Sequence, residues 1–368
     1  MLSSPWTLPG SVSARRAVVA AGALALALAT TALPLAHASA PTDRFRQLNL
    51  VADTSGHAPL TDRNLVNAWG LSAGPTTPIW VSDNGSDRAT VYTGAQPGKS
   101  VSKVPLTVTI PGGAPTGNLF NPTTSFVLHG GGRSGPARFI FAGEGGDLTA
   151  WNLTGDTSHA VEVAHPANTV WKGIALLQRP GHPVLLLANF HSGRVDVYDG
   201  AFHKVAAAGQ FSSVGVPAGY APFNVAVLGG RVYVSYAKQD SARHDDVAGA
   251  GNGFVNVYDR SGHFVRQLLH RGFLNSPWGL AIAPTGFGSL AGDLLVGNFG
   301  DGRIHAVDPR NGHLEATLRG SNGSPLVIDG LWGLLPGNGT AGARSDVWFS
   351  AGPGGEAHGL LGILRSQG

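Results

Sequence analysis

One short signature returns along this chain at intervals of roughly fifty residues, and it limits the fold more than any other feature. An apolar strand marked by Gly or Asn occurs at Trp69-Gly70-Leu71, Lys172-Gly173-Ile174, Phe223-Asn224-Val225, Trp278-Gly279-Leu280 and Trp332-Gly333-Leu334, with a degenerate copy at Thr116-Gly117-Asn118. A second apolar strand follows each copy, at Ile79–Val81, Phe139–Phe141, Leu185–Leu187, Val232–Val234, Leu294–Val296 and Val347–Phe349. After a glycine turn comes a third, as in Val195–Asp199 and Val255–Asp259. Outer strands are expected at Val104–Ile110, Lys204–Phe211, Val265–Leu269 and Leu314–Leu318. Short Val-, Leu- and Tyr-rich runs punctuated by Gly, Asn and Pro are the habit of all-β chains, and no stretch carries a helical period.

Six repeats, each a four-stranded sheet, make an all-β, six-bladed β-propeller. An open ring would leave two bare sheet edges. The last repeat offers three strands, Leu331–Leu335, Val347–Ser350 and Leu360–Arg365, so Phe45–Ala52 is expected to complete it and lock the ring.

The N-terminus reads as a leader. Arg15 and Arg16 precede the apolar run Ala17–Leu33, and Ala36-His37-Ala38 has the small-x-small form of a signal-peptidase site. The expected organisation is a signal peptide over 1–38, a short linker over 39–44 and one propeller domain over 45–366. Export through the general route is favoured, with the twin-arginine route as an alternative. A retained anchor is disfavoured, because the run is short and alanine-rich for a span. The mature chain is then secreted or extracytoplasmic, with no transmembrane segment. Loss of Arg15 and Arg16 takes the formal net charge from +3 to +1. No basic face argues for nucleic acid, and a monomer is expected. The chain has no cysteine, and its one methionine is Met1. Thiolate nucleophiles, iron–sulfur clusters and cysteine metal sites are therefore excluded, and the fold must hold by burial and closure rather than by disulfides.

Several longer motifs resemble one bacterial family of secreted propellers related to NHL repeats: Asn64–Leu71, Tyr220–Asn224, Tyr236–Asp240, Pro277–Leu280 and Ile328–Leu334. The resemblance implies the fold and assigns no activity. More distantly, the blade pattern is similar to gluconolactonase-like and strictosidine-synthase-like propellers, which implies that the central channel is the place for chemistry.

Positions just before each innermost strand are expected to face the channel mouth: Trp69, Thr116, Lys172, Phe223, Trp278 and Trp332, with Asn67, Asn224 and Asp329 close by. An aromatic ring with one cation and a few amides or carboxylates suits a flat or sugar-like ligand, such as a small molecule, glycan or peptide. The bland alternative is that the tryptophans fill the narrowing channel as core. A metal-dependent hydrolase of lactonase type is the rival function. It would need a divalent cation held by Asn67, Asn224 and Asp329, but the lactonase-like families carry Asn or Asp where this chain has Trp69, Lys172, Trp278 and Trp332. The long blade-four loop holds Asp240, His244, Asp245 and Asp246, which match no known metal-loop spacing and read as a solvated charged loop. Glu356 and His358 share a glycine-rich turn, where an acid–base pair is conceivable but an idle pair is more common. No serine-nucleophile elbow, zinc-protease helix, phosphate loop or dinucleotide fingerprint occurs.

Overall fold

A computed structural model of the chain describes residues 43–130, 133–179 and 181–367. The signal peptide expected over 1–38 lies outside the described residues. The propeller has six sheets, each running outward from an innermost strand. Blade 1 is Ala68–Ser72, Ile79–Asp83, Arg88–Thr93 and Ser102–Thr109. Blade 2 is Pro115–Phe120, Phe139–Gly143, Leu148–Trp151 and Val161–Ala164. Blade 3 is Trp171–Leu177, Val184–Asn189, Arg194–Tyr198 and Lys204–Val205. Blade 4 is Tyr220–Leu228, Arg231–Lys238, Phe254–Tyr258 and Phe264–His270. Blade 5 is Pro277–Ile282, Leu294–Asn298, Ile304–Val307 and Leu314–Thr317. Blade 6 is Leu331–Pro336, Val347–Ala351 and Leu360–Ser366, completed by Phe45–Ala52.

Phe45–Ala52 runs antiparallel to Leu360–Ser366, from Phe45 opposite Ser366 to Ala52 opposite Leu360. The two ends of the domain thus share one sheet, and unfolding must break that ladder. Its inward residues Phe45, Val51 and Ala52 are buried, with the Phe45 ring 4.5 Å from that of Phe287 in blade 5.

One outer strand stops short of the sequence expectation, and another was not placed from the sequence. In blade 3 the strand stops at Val205 instead of reaching Phe211. Gln210 N donates to Ala207 O in a turn there, and Phe211 takes a positive φ of 50°. Phe211 leaves the edge because burial pulls it inward, to 2% exposure, against Tyr258 of blade 4. In blade 2 the outer strand is Val161–Ala164, and the hairpin Val127–Gly130 with Arg133–Pro136 is inserted before the second strand. The outer strand of this blade, Val161-Glu162-Val163-Ala164, is exposed or half-exposed and only four residues long, too short for its alternation to stand out in the sequence.

All six innermost strands share one irregularity. Between Ala68 and Leu71, Pro115 and Asn118, Trp171 and Gly173, Pro222 and Asn224, Pro277 and Gly279, and Leu331 and Leu334, the inner strand carries one more residue than its partner. This is a β-bulge, which kinks the strand and re-aims a side chain. It falls on the Trp-Gly-Leu signature in every blade. The glycine within it lies at the waist of the channel, where neighbouring inner strands nearly touch. A Cβ on Gly70 would stand 2.4 Å from Thr116 O, and one on Gly279 would stand 2.7 Å from Trp332 O. Blade 4 has Asn224 at this place. Its amide bridges to blade 5 by donating to Trp278 O at 2.8 Å.

Candidate functional site

The bulges turn Trp69, Thr116, Lys172, Phe223, Trp278 and Trp332 toward the common axis. These residues lie within the inner strands, not ahead of them as the sequence reading placed them. Trp69, Phe223, Trp278 and Trp332 form one apolar cluster with Phe190, and Phe299 packs against it. Trp332 is its centre: it stacks on Trp69 at 3.7 Å and on Phe299 at 3.8 Å, and meets Trp278 edge-on at 5.8 Å. The three tryptophans are 2–5% exposed. Their faces are spent on one another, so they plug the channel in the manner of core residues. Phe299 is the half-buried outer ring of the stack, and its far side is the aromatic surface on offer at this mouth.

A polar network lies over the plug. The indole N–H of Trp332 donates to Asn67 Oδ1 at 3.0 Å. Asn67 Nδ2 donates to Glu356 at 2.6 Å and to Asn84 Oδ1 at 3.1 Å. Asn84 donates in turn to Glu144 at 2.9 Å. Lys172, 2% exposed at its side chain, pairs with Glu144 and, at 3.1 Å, with Asp245, whose other neighbour is His244 at 2.9 Å. The Lys172 ammonium also lies 5.3 Å from the centre of the Trp69 ring, on its face. Each member is placed by the same structural rule: Asn84, Glu144, the loop with Asp245, and Glu356 all follow the second strand of their blade, at the end of the channel where the inner strands begin.

The charges are strongly coupled. Burial alone would lower the Lys172 pKa, but Glu144 and Asp245 outweigh it and hold the ammonium above its ordinary value. Burial would raise Asp245, yet Lys172 and His244 hold it below the usual carboxylate range. Glu356 is pushed up by burial and by Glu144 and Asp246, against the Asn67 hydrogen bond. Asp246 is pushed up as well, chiefly by burial. Four carboxylates thus surround one cation, and two of them bind their proton more tightly than usual.

The trio that the rival metal-dependent reading requires does not assemble. Asn67 Oδ1 is taken by Trp332, Asn224 Oδ1 accepts from Val225 N at 2.8 Å, and Asp329 caps Gly354 N at 2.9 Å on the rim. The ligand atoms of Glu144, His244 and Asp245 do lie within 4.8 Å of one another. Lys172, however, already stands between Glu144 and Asp245 as their cation. A divalent ion there would have to displace a buried ammonium, so the residues do not fit a resident metal. His358 does not join Glu356; it pairs with Asp53 at 3.0 Å, toward the outer strand. Asp245 was read as part of a solvated loop, but its bond to Lys172 draws that loop over the mouth. Glu144 and Asn84 escaped the sequence reading. The signal available was their place directly after a second strand, the same place that Phe190 and Phe299 take in blades 3 and 5.

The architecture defines a six-bladed propeller with a plugged channel and a charged mouth. No known family profile matches the sequence. The chain belongs to the family that includes the uncharacterized proteins R648 and L690 of Acanthamoeba polyphaga mimivirus. It is 30% identical to R648 over 300 residues (78% of this chain, 72% of that protein) and 30% identical to L690 over 328 residues (86% and 84%). Among solved structures it is similar to a streptogramin B lyase (TM-score 0.50, 9% identity, 90% of this chain and 100% of that one). It is also similar to a protein of unknown function from Bacteroides thetaiotaomicron (TM-score 0.53, 10% identity, 88% and 76%). At such identities the likeness is one of fold.

Proposed function

We propose that this protein is an exported binding propeller that holds a small hydroxylated, sugar-like ligand at the charged mouth. One observation carries the reading: a hydrogen-bonded network from Trp332 through Asn67, Asn84 and Glu144 to Lys172 and Asp245 draws on five blades and sits on an aromatic floor. Carboxylate and amide groups around one ammonium match the mixed donors and acceptors of vicinal hydroxyls, and Phe299 gives a ring to stack against a sugar face. Asn67 and Lys172 act as orienting groups, and Asp329 stands on the rim. Trp69, Phe223, Trp278 and Trp332 support the site from beneath, while Asn224 belongs to the waist.

Calorimetric titration of the mature chain with a panel of mono- and disaccharides tests this. Glu356→Gln and Phe299→Ala are each expected to weaken the retained sugar by about tenfold in protein that still folds, as read by an intact cooperative melting transition. Undiminished affinity in both variants, or no sugar retained at all, refutes the reading. The metal-dependent hydrolase reading is disfavoured by the place Lys172 occupies, and stabilisation by added divalent cation, reversed by chelator, would restore it.

Export rests on Arg15-Arg16, the run Ala17–Leu33 and Ala36-His37-Ala38. N-terminal sequencing of protein recovered outside the producing cell is expected to begin at Ser39. A chain retained inside with Arg15 and Arg16 intact would refute it.

A further inference from the structure

The turn that supplies Glu144 to the mouth carries a second carboxylate, Asp147, which takes a different partner. Asp147 stands just before the third strand of blade 2, and its Oδ1 meets His165 Nδ1 at 2.7 Å, just past the outer strand Val161–Ala164. The strand register explains the meeting. Leu148 pairs with Ala164, so one further step along the ladder sets Asp147 beside His165. In the other direction the next pair is Thr149 with Glu162, which leaves Val163 as an extra residue on the outer strand. Without this bulge Thr149 would oppose Val163, and Glu162 would lie on the opposite face of the sheet. The bulge turns Glu162 onto the face shared by Asp147 and His165. The ligand atoms of the three residues all lie within 4.8 Å of one another.

Asp147 lacks a matching charge. It is 3% exposed, yet among the described residues no lysine or arginine pairs with it, and its one side-chain partner is an imidazole 53% exposed. Its Oδ2 meets no donor and is not sealed from solvent as the oxygens of Asp83 are. A carboxylate is rarely buried unless it is paired or coordinates a metal, because its lost hydration must be replaced. The backbone holds this one closely. A Cβ on Gly112 would overlap the Asp147 carboxylate, and one on Gly145 would stand 2.6 Å from Oδ2, so glycine at both places gives the group its room.

We propose that Asp147, Glu162 and His165 bind a divalent transition-metal ion of the zinc class, which takes the place now spanned by the hydrogen bond between Asp147 and His165. One imidazole nitrogen with two carboxylate oxygens suits zinc, whereas calcium and magnesium favour a larger set of oxygen ligands. Tetrahedral ligands at about 2.0–2.2 Å from zinc stand roughly 3.3–3.6 Å apart. That separation falls between the 2.7 Å of the hydrogen bond and the 4.8 Å limit of the trio. Binding displaces only a hydrogen bond to an exposed imidazole. At the mouth, by contrast, Lys172 already occupies the place between Glu144 and Asp245. The ligands come from blade 2 and the residue that follows it, so the site does not depend on what the mouth holds.

The test titrates the untagged, chelator-treated mature chain with zinc chloride and reads binding by calorimetry and by the thermal unfolding midpoint. One equivalent of zinc is expected to bind, and zinc at about a hundredfold above Kd to raise the midpoint by about 3 °C or more. Calcium and magnesium are expected to bind more weakly than zinc. Glu162→Gln and His165→Ala change exposed side chains, so both should fold, and each is expected to weaken zinc at least about tenfold. Asp147→Asn is expected to abolish binding; if that variant fails to fold, the two exposed ones decide. Absence of zinc binding, unchanged affinity in both exposed variants, full binding by a folded Asp147→Asn protein, or tighter binding of calcium than of zinc each overturns the proposal. Zinc binding that is lost in His244→Ala and kept in His165→Ala overturns it too, and returns the ion to the charged mouth.

Discussion

Replacing Trp332 with alanine separates a plug from a ligand surface. The ring is 2% exposed and touches four others, Trp69, Phe223, Trp278 and Phe299. Removing a buried Trp side chain costs about 3–5 kcal/mol through lost transfer energy and the cavity left behind. The loss also strips Asn67 Oδ1 of its donor in a 3%-exposed residue, which adds about 1 kcal/mol or more. The expected total is about 4–6 kcal/mol in the free energy of unfolding, measured by urea denaturation of the mature chain without ligand. Trp332→Phe keeps an aromatic ring on the axis and forfeits mainly the N–H and part of the area, so it should cost about 1–2 kcal/mol. A tryptophan that served only to stack on ligand would face solvent, and its replacement would fall within about 0.5 kcal/mol. A measured loss below about 1 kcal/mol for Trp332→Ala would refute the plug and return this ring to the binding surface.

Further tests address the waist, the buried charges and the pH response. Gly279→Ala sets a Cβ 2.7 Å from Trp332 O and should cost about 2 kcal/mol or more by denaturation, whereas Gly155→Ala, with nothing within 4 Å, should be near neutral. Equal effects would remove the close-approach argument. Lys172→Met leaves Glu144 and Asp245 without their cation; since Asp245 is 66% exposed at its side chain, the cost should stay near 2–3 kcal/mol, below that of a wholly buried pair. Adding Glu144→Gln should recover part of it, and strict additivity of the two changes would show that they are not coupled. Asp83 is fully buried, neither of its oxygens meets a well-aligned donor among the described residues, and burial, helped by Asp62, outweighs Thr90 and Lys103 and raises its pKa well above the carboxylate range. A raised carboxyl binds its proton more tightly in the folded state, so its contribution is complete below the unfolded pKa and is lost as pH climbs through the folded one. Asp83→Asn should therefore flatten that fall and exceed the parent in stability at pH 7. Parallel stability curves from pH 4 to pH 8 would contradict the assignment.

The strand plan was legible because it depends on local order. Alternation and turn residues mark Ile79–Asp83 or Leu294–Asn298 wherever they occur, and the shortage of one strand in the last repeat pointed to Phe45–Ala52. The signature Trp-Gly-Leu located the residues of the axis, since glycine tolerates the approach of one blade to the next. It did not reveal that the extra residue is a bulge, because a bulge is defined by the partner strand's count. Nor did it reveal the fate of the aromatic faces. Trp69 and Trp332 are 263 positions apart, and only closure of the ring stacks one on the other and leaves Phe299 as the outer face.

The charged mouth belongs wholly to the tertiary structure. Asn84, Glu144, Asp245 and Glu356 sit in loops of different length and composition, and the one local mark they share is a place after the second strand of a blade. What joins them is radial symmetry, which brings the end of every second strand to one rim. Local sequence thus determined which residues form strands and which kink them. Closure of the ring decided which of those residues meet, because side chains hundreds of positions apart become neighbours only when the first strand joins the last.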